Sequence, residues 1–312
     1  MPCSLILHCS PSLVASAVLV RPASRLRHSG TARPQARMLK LRILSSMVLV
    51  PLIVWVVIGW PLYGMAIFLG VFTLLAGWEW TRLAGFQTQF GRLVYVALLG
   101  LAGAMLWNDP VWVRPLLALA VSFWIWALIE LISYEDARSG FLASMPGKWI
   151  GGFLVLLPAW IVPLTLRGLP HGEWLVLYLM FLVWGADTGA YFAGHRFGRH
   201  KLAPTISPGK TWEGVAGGLV VVLILAVLTG YLGWQFRTVD MAIWILLSLA
   251  TGFISVLGDL FESRIKRAAG VKDSGVLIPG HGGILDRIDA FTAAAPVFAL
   301  AWLIWQVTGT IA

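Results

Sequence analysis

Long apolar runs recur along almost the whole chain, and they leave few ways for it to fold. Hydrophobic residues occupy 59% of the 312 positions, charged residues only 12%, and the mean hydropathy is +0.83. A helix of about 20 apolar residues crosses the hydrocarbon core of a bilayer. Nine such runs are predicted, at about 43–60, 63–80, 93–107, 111–133, 149–166, 174–193, 213–234, 241–261 and 290–309. We therefore expect an all-α, polytopic integral membrane protein rather than a soluble one.

Lys and Arg are distributed unevenly among the loops between these runs. Cytoplasmic loops of membrane proteins are enriched in both residues. With a cytoplasmic N-terminus, the outer loops carry only three, which are Arg114, Arg167 and Arg237. The inner loops and the stretch before the first run carry sixteen, which are Arg37, Lys40, Arg42, Arg82, Arg92, Arg138, Lys148, Arg196, Arg199, Lys201, Lys210, Arg264, Lys266, Arg267, Lys272 and Arg287. The sequence therefore predicts an N-in, C-out topology, with the polar stretches 186–212 and 259–289 on the cytoplasmic side.

The first 37 residues do not share this pattern. They hold both cysteines, Cys3 and Cys9, and several arginines but no acidic residue. Their apolar stretch 13–20 is too short to span a bilayer and precedes the nearest arginines, which argues against a signal peptide. We expect 1–37 to be a disordered extension or an upstream start, and 38–312 to form a single membrane-embedded domain. The absence of cysteine from that domain excludes disulfides and cysteine-based metal sites within it.

Functional polar residues are concentrated in the second half of the domain, over 184–296. The first cluster contains Asp187 at the end of an apolar run and the segment SPGKTWEG at 207–214. Its Gly-Lys-Thr tripeptide lacks the earlier glycine of a P-loop, and no strand is predicted before it, so a Walker A site is rejected. Ser207, Lys210 and Thr211 instead precede a helix, whose N-terminal N–H groups favour anions. We predict phosphate binding there, with a plain helix-end role left open for Asp187 and a capping role for Glu213.

The second cluster consists of two acid pairs with helical i, i+3 spacing. Asp259 pairs with Glu262, and Asp286 with Asp289. Carboxylates crowded near a membrane boundary repel one another unless a cation lies between them, and Mg²⁺ prefers such oxygen ligands. The predicted metal ligands are therefore Asp259, Asp286 and Asp289. The expected metal is Mg²⁺, and a second cation at the same site remains open. An ordinary i, i+4 ion pair between Glu262 and Lys266 is the alternative for that acid.

Basic residues surround these acids. Lys266 and Arg287 are predicted to act in catalysis, and the expected substrate contacts are Arg267, Lys272, Asp273, His281 and Asp187 in addition to Ser207, Lys210 and Thr211. Lys266 and Arg267 also suit the end of a membrane helix irrespective of function. For His281, in the glycine-rich stretch 278–283, three roles remain open: a proton acceptor, a hydrogen-bond donor to phosphate, or only a hydrogen bond within the loop.

The run SRIKRAAGVKDSGVLIPGHGGILDRID at 263–289 resembles the long signature of the phosphatidate cytidylyltransferase, or CDP-diacylglycerol synthase, family. The segments at 187–191 and 207–214 are also similar to that family, and the resemblance extends from Met38 to the C-terminus. It implies the reaction of CTP with phosphatidate to CDP-diacylglycerol and pyrophosphate, with Mg²⁺, by a multi-pass homodimer of the bacterial inner membrane. It also implies metal binding by Asp259, Asp286 and Asp289.

The resemblance further implies phosphate contacts from the basic residues and from the segment at 207–211. The residues suit this chemistry, because the attacking lipid phosphate is already an anion and needs only charge neutralisation and alignment. No nucleic-acid partner is expected. Two other functions remain open, a CTP-dependent lipid kinase and an ion-coupled transporter that uses Asp187 and Asp259. No internal repeat was found in the sequence, which disfavours the transporter.

Overall fold

A computed structural model describes residues 47–133, 139–275 and 282–307. The first five helices are α1 (Met47–Gly59), α2 (Leu62–Leu83), α3 (Gln89–Asn108), α4 (Val113–Ser133) and α5 (Met145–Arg167). The others are α6 (Gly172–Phe197), α7 (Trp212–Leu228), α8 (Thr238–Ala268) and α9 (Leu285–Val307). The protein is thus an all-α polytopic membrane protein, as predicted. The expected extension, 1–37, lies outside the described residues.

The helices coincide with the predicted apolar runs. Among the described residues, eight helices, α2 to α9, are long and apolar enough to cross a membrane. The helix α1 is shorter, and the predicted run at 43–60 is described only from Met47 onward. Between α6 and α7 the chain also forms an antiparallel hairpin of β1 (Lys201–Ala203) and β2 (Ser207–Thr211), which the sequence analysis did not predict.

The helices α5 and α9 bury the largest shares of their spans and lie at the centre of the bundle. Large aromatic side chains fill one half of the core, where the rings of Tyr178 and Trp244 stack with centroids 4.3 Å apart. Phe298 and Trp302 of α9 pack against the same tryptophan. Many Leu, Ile and Phe side chains are exposed on the outer helix faces, as expected where the surrounding solvent is lipid.

Glycines bring two pairs of helices into close contact. A Cβ atom at Gly189 of α6 would lie 2.7 Å from the carbonyl oxygen of Gly217 and 3.0 Å from the Cα of Gly218, both on α7. A Cβ atom at Gly258 of α8 would collide with the carbonyl oxygen of Asp289 on α9. Small residues allow such backbone contact between membrane helices. The glycines at 189, 217 and 218 therefore let α6 and α7 pack closely.

The polar ends of the helices meet at one face of the bundle. Trp80 Nε1 near the end of α2 donates to the carbonyl oxygen of Lys148 at the start of α5, at 2.9 Å. Buried Arg264, near the end of α8, donates to the carbonyl oxygens of Glu130 at 2.9 Å and Ser139 at 2.8 Å. The hairpin and the connection between α8 and α9 lie at this same face, so the two polar clusters predicted from the sequence come together there.

Candidate active site

The β1–β2 hairpin is joined firmly to the start of α7. Thr211 is buried, and its hydroxyl oxygen accepts a hydrogen bond from Gly214 N at 3.1 Å, which is an N-cap interaction. The Glu213 carboxylate accepts from His200 N at 3.2 Å and lies 2.6 Å from His200 Nδ1. The structure therefore gives Thr211 a capping role that the sequence analysis did not assign to it. Ser207 is half-buried at the other end of β2.

Lys210 connects the two predicted clusters. Its Nζ lies 2.7 Å from Asp259 Oδ2 on α8 and donates to the carbonyl oxygen of Val256 at 3.3 Å. The side chains of Lys210 and Asp259 remain 22% and 34% exposed, so a ligand can reach both of them. Ser263 Oγ donates to the other Asp259 oxygen at 3.3 Å. The pair thus lies at an open surface of the polar face rather than in the core.

Carboxylates from three different helices interact with one another near this lysine. Asp187 of α6 interacts electrostatically with Asp259 of α8, with Asp289 of α9 and with Lys210. Asp187 is exposed, and its neighbour Thr188 donates its hydroxyl to the carbonyl oxygen of Trp184 at 2.7 Å, not to Asp187. Carboxylates that repel one another around a single lysine favour the arrival of a further cation.

A second, more buried network lies deeper between α8 and α9. Lys266 Nζ is 2.6 Å from Asp286 Oδ1 and 3.2 Å from Glu262 Oε2. The other Asp286 oxygen accepts from Ser274 N at 3.0 Å and from Gly283 N at 2.9 Å. The Glu262–Lys266 ion pair, the alternative raised for that acid, is therefore present. Glu262 also interacts with Asp289, which links this network to the three carboxylates.

The three predicted metal ligands do not converge on one point. Within residues 47–133, 139–275 and 282–307, no group of three acidic, histidine or cysteine side chains has a metal-binding arrangement. Asp286 is turned towards Lys266 and two backbone N–H groups, whereas Asp259 and Asp289 lie on the side of Asp187. Mg²⁺ commonly takes only one or two protein carboxylates and completes its shell with substrate phosphates and water. The residues present fit that mode better than a site of three carboxylates.

The remaining predicted contacts form the rim of this face. Arg267, Lys272, Asp273 and Arg287 are all exposed. Arg267 Nε donates to the carbonyl oxygen of Ile206, at 3.4 Å, so the end of α8 contacts the hairpin. His281 lies outside the described residues. The rim is basic on balance, which suits an anionic ligand that approaches from the polar side.

The first half of the chain also contributes to this face, which was not predicted from the sequence. Glu79 and Arg82 of α2 hydrogen-bond the connection between α8 and α9, and Glu130 of α4 lies at Arg264. Neither Glu79 nor Glu130 is among the site residues predicted from the sequence. The one available signal was an acid within an apolar run, since an ionisable group in a membrane span usually has a specific partner.

Together, the fold and the site define a membrane-embedded protein with lysine–carboxylate pairs at one polar face of its helical bundle. Residues 40–305 match the model of the cytidylyltransferase family, and the chain belongs to that family.

Named relatives match almost the whole described region. The chain is 42% identical over 271 residues to a phosphatidate cytidylyltransferase of Pseudomonas aeruginosa, covering 86% of this chain and 97% of that protein. It is 41% identical over 281 residues to the phosphatidate cytidylyltransferase of Haemophilus influenzae, covering 84% and 98% respectively. A phosphatidate cytidylyltransferase of Brucella suis is 36% identical over 276 residues, covering 84% and 92%.

Proposed function

We propose that this protein is a phosphatidate cytidylyltransferase, which converts CTP and phosphatidate to CDP-diacylglycerol and pyrophosphate. The observation that carries the proposal is the 42% identity to a protein of that name across 97% of its length. The reaction needs a site for two polyanions beside an apolar phase. The polar face described above, at the end of an apolar bundle, meets that need.

The chemistry requires no nucleophile from the protein. A phosphate oxygen of phosphatidate attacks the α-phosphorus of CTP, and a new P–O bond forms as the bond to the bridging β-phosphate oxygen breaks. Pyrophosphate leaves with that electron pair. Catalysis of such a transfer consists mainly of positioning and charge stabilisation. Lysines and arginines around the site supply the positive charge that two anionic reactants and an anionic leaving group demand.

Lys210 is well placed for a direct phosphate contact. Its ammonium group has three donors, of which Asp259 and the Val256 carbonyl take two in the described arrangement. The partial exposure of the pair allows the third donor to reach a phosphate oxygen. Lys266 is held more tightly by Asp286 and Glu262, so its charge is fixed in place before substrate arrives. Such preorganised charge is the most effective electrostatic contribution to catalysis.

Asp259 and Asp289, with Asp187 beside them, are the residues that would hold Mg²⁺. When bound, the ion would neutralise phosphate charge and align the reacting groups. Asp286 suits a different task, because one of its oxygens already accepts from Lys266 of α8 and the other from two backbone N–H groups of the α8–α9 connection. In this proposal Asp286 orients Lys266. The outer phosphates of CTP are bound by three exposed basic residues, Arg267, Lys272 and Arg287.

Position-specific labels in CTP test the reaction directly. Purified protein in detergent micelles containing phosphatidate receives either α-labelled or γ-labelled CTP, with Mg²⁺ or with a chelator. We expect the α label in the lipid and the γ label in pyrophosphate, and neither product with the chelator. Entry of the γ label into lipid would show a CTP-dependent lipid kinase instead. Ion flux into proteoliposomes without CTP would support a transporter.

We also propose that the protein works as a homodimer in the bacterial inner membrane, with the polar face towards the cytoplasm. The relatives of matching length are bacterial, and the excess of Lys and Arg at this face supports the orientation. Nucleotides are supplied on that side. Light-scattering mass of the detergent-solubilised protein, corrected for bound detergent, would give the number of copies. A monomeric mass for fully active protein would overturn the dimer.

A further inference from the structure

The connection between α8 and α9 is held at both ends by one carboxylate from a distant helix. Glu79 lies near the C-terminal end of α2 and is only 4% exposed. Its Oε2 accepts hydrogen bonds from Ser274 Oγ and from Leu285 N, each at 3.0 Å. Ser274 precedes the glycine-rich stretch, and Leu285 follows it. One buried oxygen therefore joins the two ends of this connection.

Arg82 strengthens the same contact from the next turn of α2. It lies three residues after Glu79 and so projects from the same helix face. Its Nη2 donates to the carbonyl oxygens of Asp273, at 3.4 Å, and of Ser274. Ser274 is thus held through its hydroxyl by Glu79, through its carbonyl by Arg82 and through its N–H by Asp286.

Two glycines make room for the Glu79 carboxylate. A Cβ atom at Gly275 would collide with Glu79 Oε1, and a Cβ atom at Gly283 would collide with Ser274 Oγ and Glu79 Oε2. The carboxylate therefore fills a space that exists only because both positions lack a side chain. Part of the glycine-rich character of this segment is explained by contact with α2 rather than by contact with a ligand.

The Leu285 N–H group, which donates a hydrogen bond to Glu79, belongs to the first turn of α9. N–H groups of a first turn have no partner within their own helix, and a carboxylate there both satisfies the donor and interacts favourably with the helix dipole. The next residue, Asp286, holds Lys266 Nζ at 2.6 Å, and Asp289 follows one turn later. Any shift of this turn would move both acids and the lysine with them.

We infer that Glu79 is a positioning residue, which places Asp286, Asp289 and Lys266 for catalysis by capping α9 from another helix. The inference rests on the proposed function, because that function assigns the roles of the three positioned side chains. As a positioning residue, Glu79 itself does not contact the substrate. Its effect passes through Ser274 and the first turn of α9.

Two substitutions at Glu79 separate positioning from other roles. Glu79→Gln keeps an oxygen that can accept from both donors, although uncharged acceptors form weaker hydrogen bonds. We expect its kcat to stay within about fivefold of wild type. Glu79→Ala removes the acceptor, and misplacement by about 1 Å can cost about 100-fold in rate. We expect that loss in kcat, with the KM for CTP changed by less than about threefold.

Hydrogen exchange gives a readout that does not depend on activity. In Glu79→Ala, peptides covering 282–290 should exchange about tenfold faster, because the α9 start has lost its cap. The same peptides should keep wild-type rates in Glu79→Gln. Glu130→Ala is the matched control, since Glu130 is equally buried near the end of another helix, α4, where its carbonyl oxygen accepts from Arg264. It should leave exchange at 282–290 unchanged.

The two proposals fail in different ways. A wild-type protein that forms no labelled lipid from α-labelled CTP refutes the function, whatever the exchange data show. Unchanged exchange at 282–290 in Glu79→Ala refutes the anchoring of α9. Wild-type kcat in Glu79→Ala despite faster exchange, or equal losses in the Gln and Ala variants, refutes the positioning role.

Discussion

Asp289 interacts with charged residues of both polar networks in the site. It interacts with Asp259 on α8, with Glu262 in the buried network and with Lys266. It therefore belongs both to the open group of carboxylates around Lys210 and to the network around Lys266. Loss of its charge removes repulsion, but under the proposed function it also removes a ligand for Mg²⁺, and these two effects have opposite consequences for activity.

We predict that Asp289→Asn abolishes lipid product formation while leaving the protein folded. If Asp289 helps to hold Mg²⁺, kcat should fall by at least about 100-fold, a size typical for the loss of one electrostatic contact in the transition state. Labelled-CTP turnover at saturating Mg²⁺ measures the effect, and size-exclusion chromatography checks folding. Asp240→Asn is the matched control, because Asp240 lies in the first turn of α8, at its opposite end. Near-normal turnover by Asp289→Asn would refute the metal assignment.

Two substitutions at Thr211 can separate phosphate binding from helix capping. The predicted role is phosphate binding, whereas the structure shows an N-cap of α7. Thr211→Ser keeps the hydroxyl and should change neither stability nor activity. Thr211→Val keeps the shape but loses the cap, and we expect a loss of about 1 kcal/mol in stability. Thermal unfolding in detergent and turnover are measured together. A loss of activity in Thr211→Val without any loss of stability would favour phosphate binding over capping.

The contact between α8 and α9 sets the distance between the acid pairs. The two helices touch at Gly258, one residue before Asp259, against the backbone of Asp289 and Ala290. We predict that Gly258→Ala forces the helices apart and lowers kcat by about 100-fold, since a displacement of about 1 Å is enough for that loss. Turnover of labelled CTP measures this loss.

Gly233→Ala is the control for this substitution. Gly233 ends the π-helical turn Thr229–Gly233, which continues the membrane span of α7, but a Cβ atom there would meet nothing within 4 Å. It should leave turnover and unfolding temperature at wild-type values. Equal turnover by Gly258→Ala and Gly233→Ala would show that close packing of α8 and α9 is unimportant for the site.

Helix positions followed closely from the sequence, whereas the β1–β2 hairpin did not. Apolar runs longer than 15 residues leave little choice but a helix in a membrane, because only a helix satisfies its own backbone there. The hairpin has strands of three and five residues, and the second contains Pro208 and Gly209, which disfavour strand prediction. Its stability comes from contacts with the ends of α6, α7 and α8, which no local pattern contains.

The orientation of the protein in the membrane can be tested because the domain from 38 onward contains no cysteine. In a background with Cys3 and Cys9 changed to Ser, single cysteines replace exposed Gln87, between α2 and α3, or exposed Arg237, before α8. The positive-inside rule predicts that Gln87→Cys faces the cytoplasm and Arg237→Cys the opposite side. A membrane-impermeant maleimide added to intact spheroplasts should label only Arg237→Cys. Labelling of Gln87→Cys alone would reverse the predicted topology.

The sequence by itself determined that the protein is a bundle of membrane helices and where those helices lie along the chain, and it predicted which stretches carry the chemistry. Those features depend on local hydropathy and on residues that are close in sequence. Only the tertiary structure decided which partner each ionisable group takes. It paired Lys210 with Asp259 and turned Asp286 towards Lys266. It also brought Glu79 from α2 to the start of α9, because helix packing sets contacts between residues that are distant in sequence.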